Sequence, residues 1–103
     1  MNVFIQEAAE RDIVQQVEWY AEQGVPQVGR RLYAAVLDAM DAVLAMPEAG
    51  PPKETRNPRL AGLRSWHVNG FAEMRIYYLL RLDLLTIVRI LHSKRDVSRI
   101  LDT

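Results

Sequence analysis

The spacing of the apolar residues differs between the first and second halves of this chain, and that difference limits the folds open to it. Between residues 8 and 45, apolar side chains recur every three or four positions, which is the repeat of an amphipathic helix. Between residues 63 and 91 the repeat shortens to two, as in a strand with two different faces. Helices followed by a run of strands predict an α+β fold, with the helices covering one face of an antiparallel sheet.

The helical region divides at Gly24 into two predicted helices, over residues 8–23 and 26–45. Pro26 suits the first turn of the second helix, and Pro47 follows its end. Because the connection is short, the two helices should form an antiparallel hairpin. Six apolar side chains are predicted to pack this hairpin on the sheet: Ile13, Val17, Tyr20, Leu32, Val36 and Val43.

Four strands are predicted around these helices. An N-terminal strand covers residues 2–6, and a three-stranded meander covers residues 63–68, 71–80 and 84–91. Asn69-Gly70 is a strong signal for a type I′ hairpin turn. The tail, residues 94–101, is predicted to form a short helical turn. The middle strand should place Met74, Ile76 and Tyr78 on one face and Arg75, Tyr77 and Leu79 on the other.

Length and composition exclude several classes of protein. A chain of 103 residues forms one domain, which we place over residues 1–103. It lacks cysteine, so disulfides and thiolate metal sites are excluded, and the cytoplasm is the expected compartment. No apolar run approaches the roughly 18 residues of a membrane span, and no secretory leader is evident. Glycine-rich phosphate loops are absent, and two histidines 25 positions apart give little support for a metal site, so we expect no cofactor and no metal.

Charge is unevenly divided between the two halves of a chain whose formal net charge is zero. Residues 1–50 hold three basic and eight acidic groups, a net charge of −5. Residues 51–103 hold ten basic and five acidic groups, a net charge of +5, and eight of those ten cations are arginines. Arginine suits bidentate contacts to carboxylate or phosphate, so the second half is predicted to meet an acidic partner or a polyanion. Alternatively, the uneven charge has no functional meaning and reflects the usual preference of helices for acidic residues.

An ordered set of short motifs spans nearly the whole chain. The set is Asp12-Ile13, Tyr20, Leu44-Ala45-Met46-Pro47, Gly50, Gly62-Leu63-Arg64-Ser65-Trp66, Gly70-Phe71, Arg75-Ile76-Tyr77-Tyr78, Ile87-Val88-Arg89-Ile90-Leu91-His92, Arg95-Asp96 and Ile100-Leu101. Together with the order of helices and strands, these motifs resemble the ParE branch of the RelE/ParE toxin superfamily. The resemblance implies the toxin of a type II toxin–antitoxin pair, neutralised by a cognate antitoxin protein.

Two activities are compatible with this resemblance. ParE-like members inhibit DNA gyrase by binding, whereas RelE-like members cleave messenger RNA on the ribosome with basic residues of the sheet. Residues 94–103 contain no tyrosine, and Lys53 is the only lysine of the connector, so the RelE set of catalytic residues is incomplete. We therefore expect a gyrase inhibitor without catalytic residues and without sequence-specific DNA binding of its own. A RelE-like endoribonuclease and a non-toxic relic that binds only antitoxin remain the alternatives.

Two binding surfaces follow from this interpretation. Six basic side chains are the candidates for a shared surface that contacts the target or the antitoxin: Arg64, Arg75, Arg89, His92, Lys94 and Arg95. The alternative is that the sheet arginines are a solvated face and that His92 is a structural hydrogen-bonding group. An apolar groove near the strand at residues 3–5 and the helical hairpin is predicted to take an antitoxin segment.

Overall fold

The computed structural model describes residues 1–102 and confirms the predicted order of helices and strands. The predicted α2 has the observed bounds, each strand differs from prediction by one residue at one end, and α1 begins and ends one residue earlier than predicted. The C-terminal helix begins three residues later than the predicted turn and ends one residue later. The elements are β1 (Asn2–Ile5), α1 (Glu7–Glu22), α2 (Pro26–Ala45), β2 (Arg64–Val68), β3 (Phe71–Arg81), β4 (Leu84–His92) and α3 (Val97–Asp102), with a 3₁₀ turn at Pro58–Leu60 before β2. Among the described residues, none of the helices combines the length and apolarity that a membrane span requires.

The four strands form one mixed sheet in the order β1-β4-β3-β2. Strands β2, β3 and β4 are the predicted antiparallel meander. Strand β1 lies parallel to β4, with Asn2 opposite Leu84 and Ile5 opposite Ile87. Because β1 is only four residues long, it covers the first half of β4 and leaves the edge of its second half without a strand partner.

The helical hairpin is antiparallel and covers one face of the sheet. Gly29, near the start of α2, lies against Val17, near the end of α1, where an added Cβ would sit 3.2 Å from the Val17 carbonyl oxygen. Leu32 and Val43 are fully buried between the helices and the sheet. Of the six side chains predicted to pack the hairpin, Ile13, Leu32, Val36 and Val43 belong to the main core, and Val17 and Tyr20 pack against it half-buried.

The opposite face of the sheet is also largely covered. A second apolar cluster there contains Tyr77 and Leu79 of β3, whereas Met74, Ile76 and Tyr78 lie in the main core, so the predicted alternation along β3 is confirmed. Leu101 of α3 is buried in this second cluster, which explains why the short C-terminal helix is held to the sheet. Tyr77 and Tyr78 are both buried, so each packs within the fold.

The β2–β3 hairpin is present, but its predicted turn type is wrong. A type I′ turn needs positive φ at both central residues. Gly70 has φ +83°, while Asn69 is outside the left-handed region. The register of the β2–β3 pair shifts between His67 and Val68. A bulge at this point increases the twist of the two strands, so the hairpin does not depend on a type I′ turn for its twist.

Tyr78 ties the loop after α2 to the centre of the sheet. Its hydroxyl donates to the carbonyl of Pro47 at 2.8 Å and accepts from the backbone N–H of Gly50 at 3.2 Å. A Cβ at Gly50 would collide with the Tyr78 hydroxyl and lie 2.6 Å from the Ser65 carbonyl oxygen. Glycine is therefore required at residue 50 by close approach, because the loop, β2 and the tyrosine meet there.

Candidate functional site

Asp12 of α1 replaces the missing strand partner along the second half of β4. Its carboxylate accepts from Arg89 Nε at 2.7 Å and from Arg89 Nη2 at 2.8 Å, and it also accepts from the backbone N–H of Ile90 at 2.9 Å. Asp12 is only 4% exposed. The three bonds satisfy a carboxylate that would be costly to bury alone, and they close the strand edge beyond β1.

A bulge in the sheet determines where Arg89 points. Tyr77 pairs with Arg89 and Tyr78 with Ile87, so Val88 is an extra residue on β4. The shift lets Arg89 reach α1 across the open edge of the strand. The pKa of Arg89 is raised, mainly by its hydrogen bonds to Asp12, against the opposing effect of burial. The guanidinium is therefore a permanently charged group held in one orientation.

Arg89 lines an open depression of about 540 Å³ at the C-terminal edge of the sheet. We call this the arginine depression, and its lining residues are Arg89, Arg95, Asp96, Arg99 and Ile100. Within residues 1–102, the side chains of Arg95 and Arg99 have no ion-pair partner. The Asp96 carboxylate accepts from the backbone N–H of Arg99 at 3.2 Å. The depression thus combines one guanidinium held by Asp12 with two that have no ion-pair partner among residues 1–102.

A second depression, of about 220 Å³, adjoins the first at Arg95. Trp19 and Gln16 of α1, with His92, form part of its lining. Trp19 is 51% exposed and packs edge-on against Tyr20, with ring centroids 5.1 Å apart. An exposed tryptophan beside an unpaired arginine is typical of a protein-binding surface, where both residue types carry much of the affinity.

Both ring nitrogens of His92 already have partners. His92 Nε2 lies 2.8 Å from a Glu73 carboxylate oxygen, and His92 Nδ1 accepts from the backbone N–H of Lys94 at 3.1 Å. The Lys94 ammonium lies 3.4 Å from the other Glu73 oxygen. Glu73 therefore contacts both the His92 ring and the Lys94 ammonium, and the role that these contacts support for His92 is structural.

Arg64 and Arg75 lie away from the arginine depression. On the edge strand β2, Arg64 Nη1 donates to the carbonyls of Glu48 at 2.9 Å and Gly50 at 2.8 Å. In the middle of the sheet, Arg75 donates to the hydroxyl of Ser65 from Nε at 3.2 Å and from Nη2 at 3.0 Å. Of the six candidates, the structure brings Arg89 and Arg95 together, with His92 beside Arg95 in the neighbouring depression.

Arg99 belongs to the same site and was not among the sequence candidates. The signal was its spacing, because Arg95 and Arg99 are four residues apart in a segment predicted to be helical. Among residues 1–102, no three histidine or acidic side chains come together as metal ligands.

An apolar groove of about 260 Å³ lies on the other side of α1. Its lining comes from β1, both helices of the hairpin and β4: Ile5, Ala9, Glu10, Ile13, Val14, Tyr33, Val36, Leu37, Met40 and Ile90. Val14 and Tyr33 are each 51% exposed, and Leu37 is 42% exposed. The nearby strand β1 is a sheet edge with Val3 and Phe4 exposed. Contiguous exposed apolar surface of this kind marks an interaction site.

Comparison with known proteins agrees with the fold. A family model described as "ParE toxin of type II toxin-antitoxin system, parDE" matches residues 3–97. Among solved structures, a chain of the "Chromosomal ParDE TA system from P. aeruginosa" superposes with a TM-score of 0.74 at 13% sequence identity. The alignment covers 91% of this chain and 97% of that one, and at this identity it shows a shared fold. No curated protein sequence matches the chain significantly.

Proposed function

The chain belongs to the ParE toxin family of type II toxin–antitoxin systems, and from that premise we propose that it inhibits DNA gyrase by direct binding. In this proposal a cognate antitoxin covers the toxin until it is released. Gyrase acts on chromosomal DNA, so the compartment of action is the bacterial cytoplasm.

One observation favours binding over catalysis: the basic residues of the sheet already serve structural partners. RNA cleavage needs a base, an acid and cations arranged around one phosphate. Here Arg75 is bonded to Ser65 and Arg89 to Asp12, while His92 is engaged at both ring nitrogens. These three groups lie at different places in the fold and do not surround one phosphate. The arrangement therefore favours a protein that acts by binding.

The apolar groove supports the antitoxin part of the proposal. An amphipathic segment seats its apolar side chains in such a groove, and an extended segment adds to an exposed strand edge. The groove offers Val14, Tyr33 and Leu37, and β1 offers a free edge beside it. The relative from P. aeruginosa is described as a ParDE system, and we extend that two-component arrangement to this chain.

The proposed target is tested with two assays on the same purified toxin. In the first, gyrase supercoils relaxed plasmid with increasing toxin; in the second, translating ribosomes are incubated with messenger RNA and the toxin. We expect loss of supercoiling and intact RNA. Cleaved RNA with normal supercoiling would instead identify a ribosome-dependent nuclease, and inactivity in both assays would leave only antitoxin binding.

A further inference from the structure

We propose that the arginine depression binds carboxylate side chains of an acidic segment on the protein that this toxin inhibits. The identity of that protein as gyrase rests on the proposed function above. The chemistry of the site rests on the positions and charges of the residues around it.

Arg89 provides a fixed half of the site. Two of its donor nitrogens, Nε and Nη2, are committed to Asp12. Within residues 1–102, Nη1 has no hydrogen-bond partner, and the side chain lines the depression. A guanidinium already held in place loses little conformational entropy when it binds a ligand.

Arg95 and Arg99 provide the adjustable half. Both line the depression: Arg99 lies on α3, and Arg95 lies in the turn that precedes this helix. Each carries the planar pair of donors that matches a carboxylate. Within residues 1–102, the acidic residue between them, Asp96, accepts from the Arg99 backbone N–H and forms no ion pair with either guanidinium. The two guanidinium groups are therefore available to an anion from outside the chain.

The charge balance favours isolated carboxylates over a nucleic-acid backbone. Asp12 pairs with Arg89, and Asp96 lines the depression without an ion pair to Arg95 or Arg99 among residues 1–102, so the three arginines and two aspartates together carry a net charge of only +1. The whole chain has zero net charge and a pI of about 6.7. Proteins that follow a phosphate backbone carry clustered, uncompensated cations and a basic pI. A few carboxylates are the ligand that this balance fits.

The apolar neighbours indicate that the carboxylates belong to a protein. Ile100 lines the depression itself, and the exposed Trp19 lies in the depression on the other side of Arg95. Desolvation by such side chains strengthens arginine–carboxylate contacts and adds apolar contact area. We therefore expect the bound segment to alternate acidic and apolar residues.

The site is distinct from the apolar groove. The arginine depression and the groove share no lining residue. Helix α1 lies between the groove and the depression that contains Trp19, and these two have only Ile90 in common. A substitution at Arg99 should consequently affect the target contact and leave the antitoxin contact intact. This separation allows the two roles to be measured independently.

The ligand chemistry is tested without gyrase, using Trp19 fluorescence in a Trp66→Phe background. The probes are a short peptide of alternating Asp and Leu, its Asn and Leu counterpart, and an oligothymidylate with the charge of the first peptide. We expect only the acidic peptide to change Trp19 emission, with its affinity reduced about tenfold by Arg99→Glu or Arg95→Glu. Arg31→Glu, an exposed charge reversal on α2, is the matched control and should bind as the parent does. Tighter binding of the oligothymidylate, no binding of the acidic peptide, or an equal loss in Arg31→Glu would overturn the proposal.

The same variants are then compared in the supercoiling assay. Arg99→Glu should need about tenfold more protein for half-inhibition, while Arg31→Glu matches wild type and both bind antitoxin with unchanged affinity. Full inhibition by Arg99→Glu, or an equal loss of its antitoxin binding, would refute the assignment to the target. If wild-type toxin fails to inhibit gyrase, the proposed target is wrong, and the peptide titration still decides the chemistry of the site.

Discussion

Asp12 and Arg89 lie 77 residues apart in sequence and are joined by two hydrogen bonds of 2.7 and 2.8 Å. The pair connects the first helix to the last strand at the point where β1 ends. Arg89 also lines the arginine depression, so one ion pair fixes both the closure of the sheet edge and the orientation of a binding residue.

Replacing Asp12 by Ala should lower the free energy of unfolding by about 2–4 kcal/mol. The change leaves a half-buried guanidinium unpaired and removes the acceptor of the Ile90 N–H. Urea denaturation measures the loss. Glu7→Ala breaks the exposed Glu7–Arg11 pair and is the control, with an expected change under about 0.5 kcal/mol. Equal effects of the two substitutions would show that Asp12 does not anchor Arg89.

Leu32 and Leu37 on α2 should separate stability from binding. Leu32 is fully buried, so Leu32→Ala should cost about 2–5 kcal/mol of unfolding free energy. Leu37 is 42% exposed in the apolar groove, so Leu37→Ala should cost under about 1 kcal/mol but weaken antitoxin binding. Thermal unfolding measures the stability of each variant, and calorimetric titration measures its affinity for antitoxin. A loss under half a kcal/mol for Leu32→Ala would contradict the packing of the hairpin.

Gly50→Ala should destabilise the protein by about 1–3 kcal/mol because the new methyl group meets the Tyr78 hydroxyl and the Ser65 carbonyl. Gly62→Ala is the control for backbone strain alone: Gly62 has φ +87° and open space around the added Cβ, so about 1 kcal/mol is expected. Chemical denaturation of both variants measures which substitution lowers the free energy of unfolding more. A smaller loss for Gly50→Ala than for Gly62→Ala would argue against the close approach.

Alkaline pH should destabilise the fold through its buried tyrosines. Burial raises the pKa of Tyr78 above its ordinary value of 10.0, although hydrogen bonding from Gly50 and the charge of Arg64 oppose the rise. A raised folded-state pKa means that the contribution is fully present below about pH 10 and is lost as pH rises through the folded value. Tyr78→Phe should reduce the slope of unfolding free energy against pH in this range. An unchanged slope would show that Tyr78 ionises equally easily in both states.

Local sequence patterns predict the helices and the faces of the strands, but not every strand pairing. Pro26 and Pro47 set the bounds of α2, and the alternation from Met74 to Leu79 determined the faces of β3. The parallel pairing of β1 with β4 depends on chain ends that are remote in sequence, and no local pattern encodes it.

The arginine depression was less predictable than the fold, because it also depends on contacts that no local sequence pattern encodes. The bulge at Tyr77 and Tyr78 redirects Arg89, and period-two reasoning does not anticipate an extra residue on β4. The sequence predicted one shared surface for Arg64, Arg75 and Arg89. In the structure, Arg64 instead donates to the Glu48 carbonyl and Arg75 to the Ser65 hydroxyl. The sequence of the C-terminal segment predicts only which apolar side chains face the sheet, Val97, Ile100 and Leu101, and does not show that Arg99 lies beside Arg89.

The most direct measurement is gyrase supercoiling with wild-type toxin and Leu37→Glu, each titrated with antitoxin. Wild-type toxin should inhibit supercoiling, and antitoxin should restore it. Leu37→Glu places a charge in the apolar groove, so it should inhibit as wild type does but resist neutralisation. Supercoiling unaffected by wild-type toxin, or equal neutralisation of both proteins, would contradict a gyrase inhibitor that is controlled through this groove.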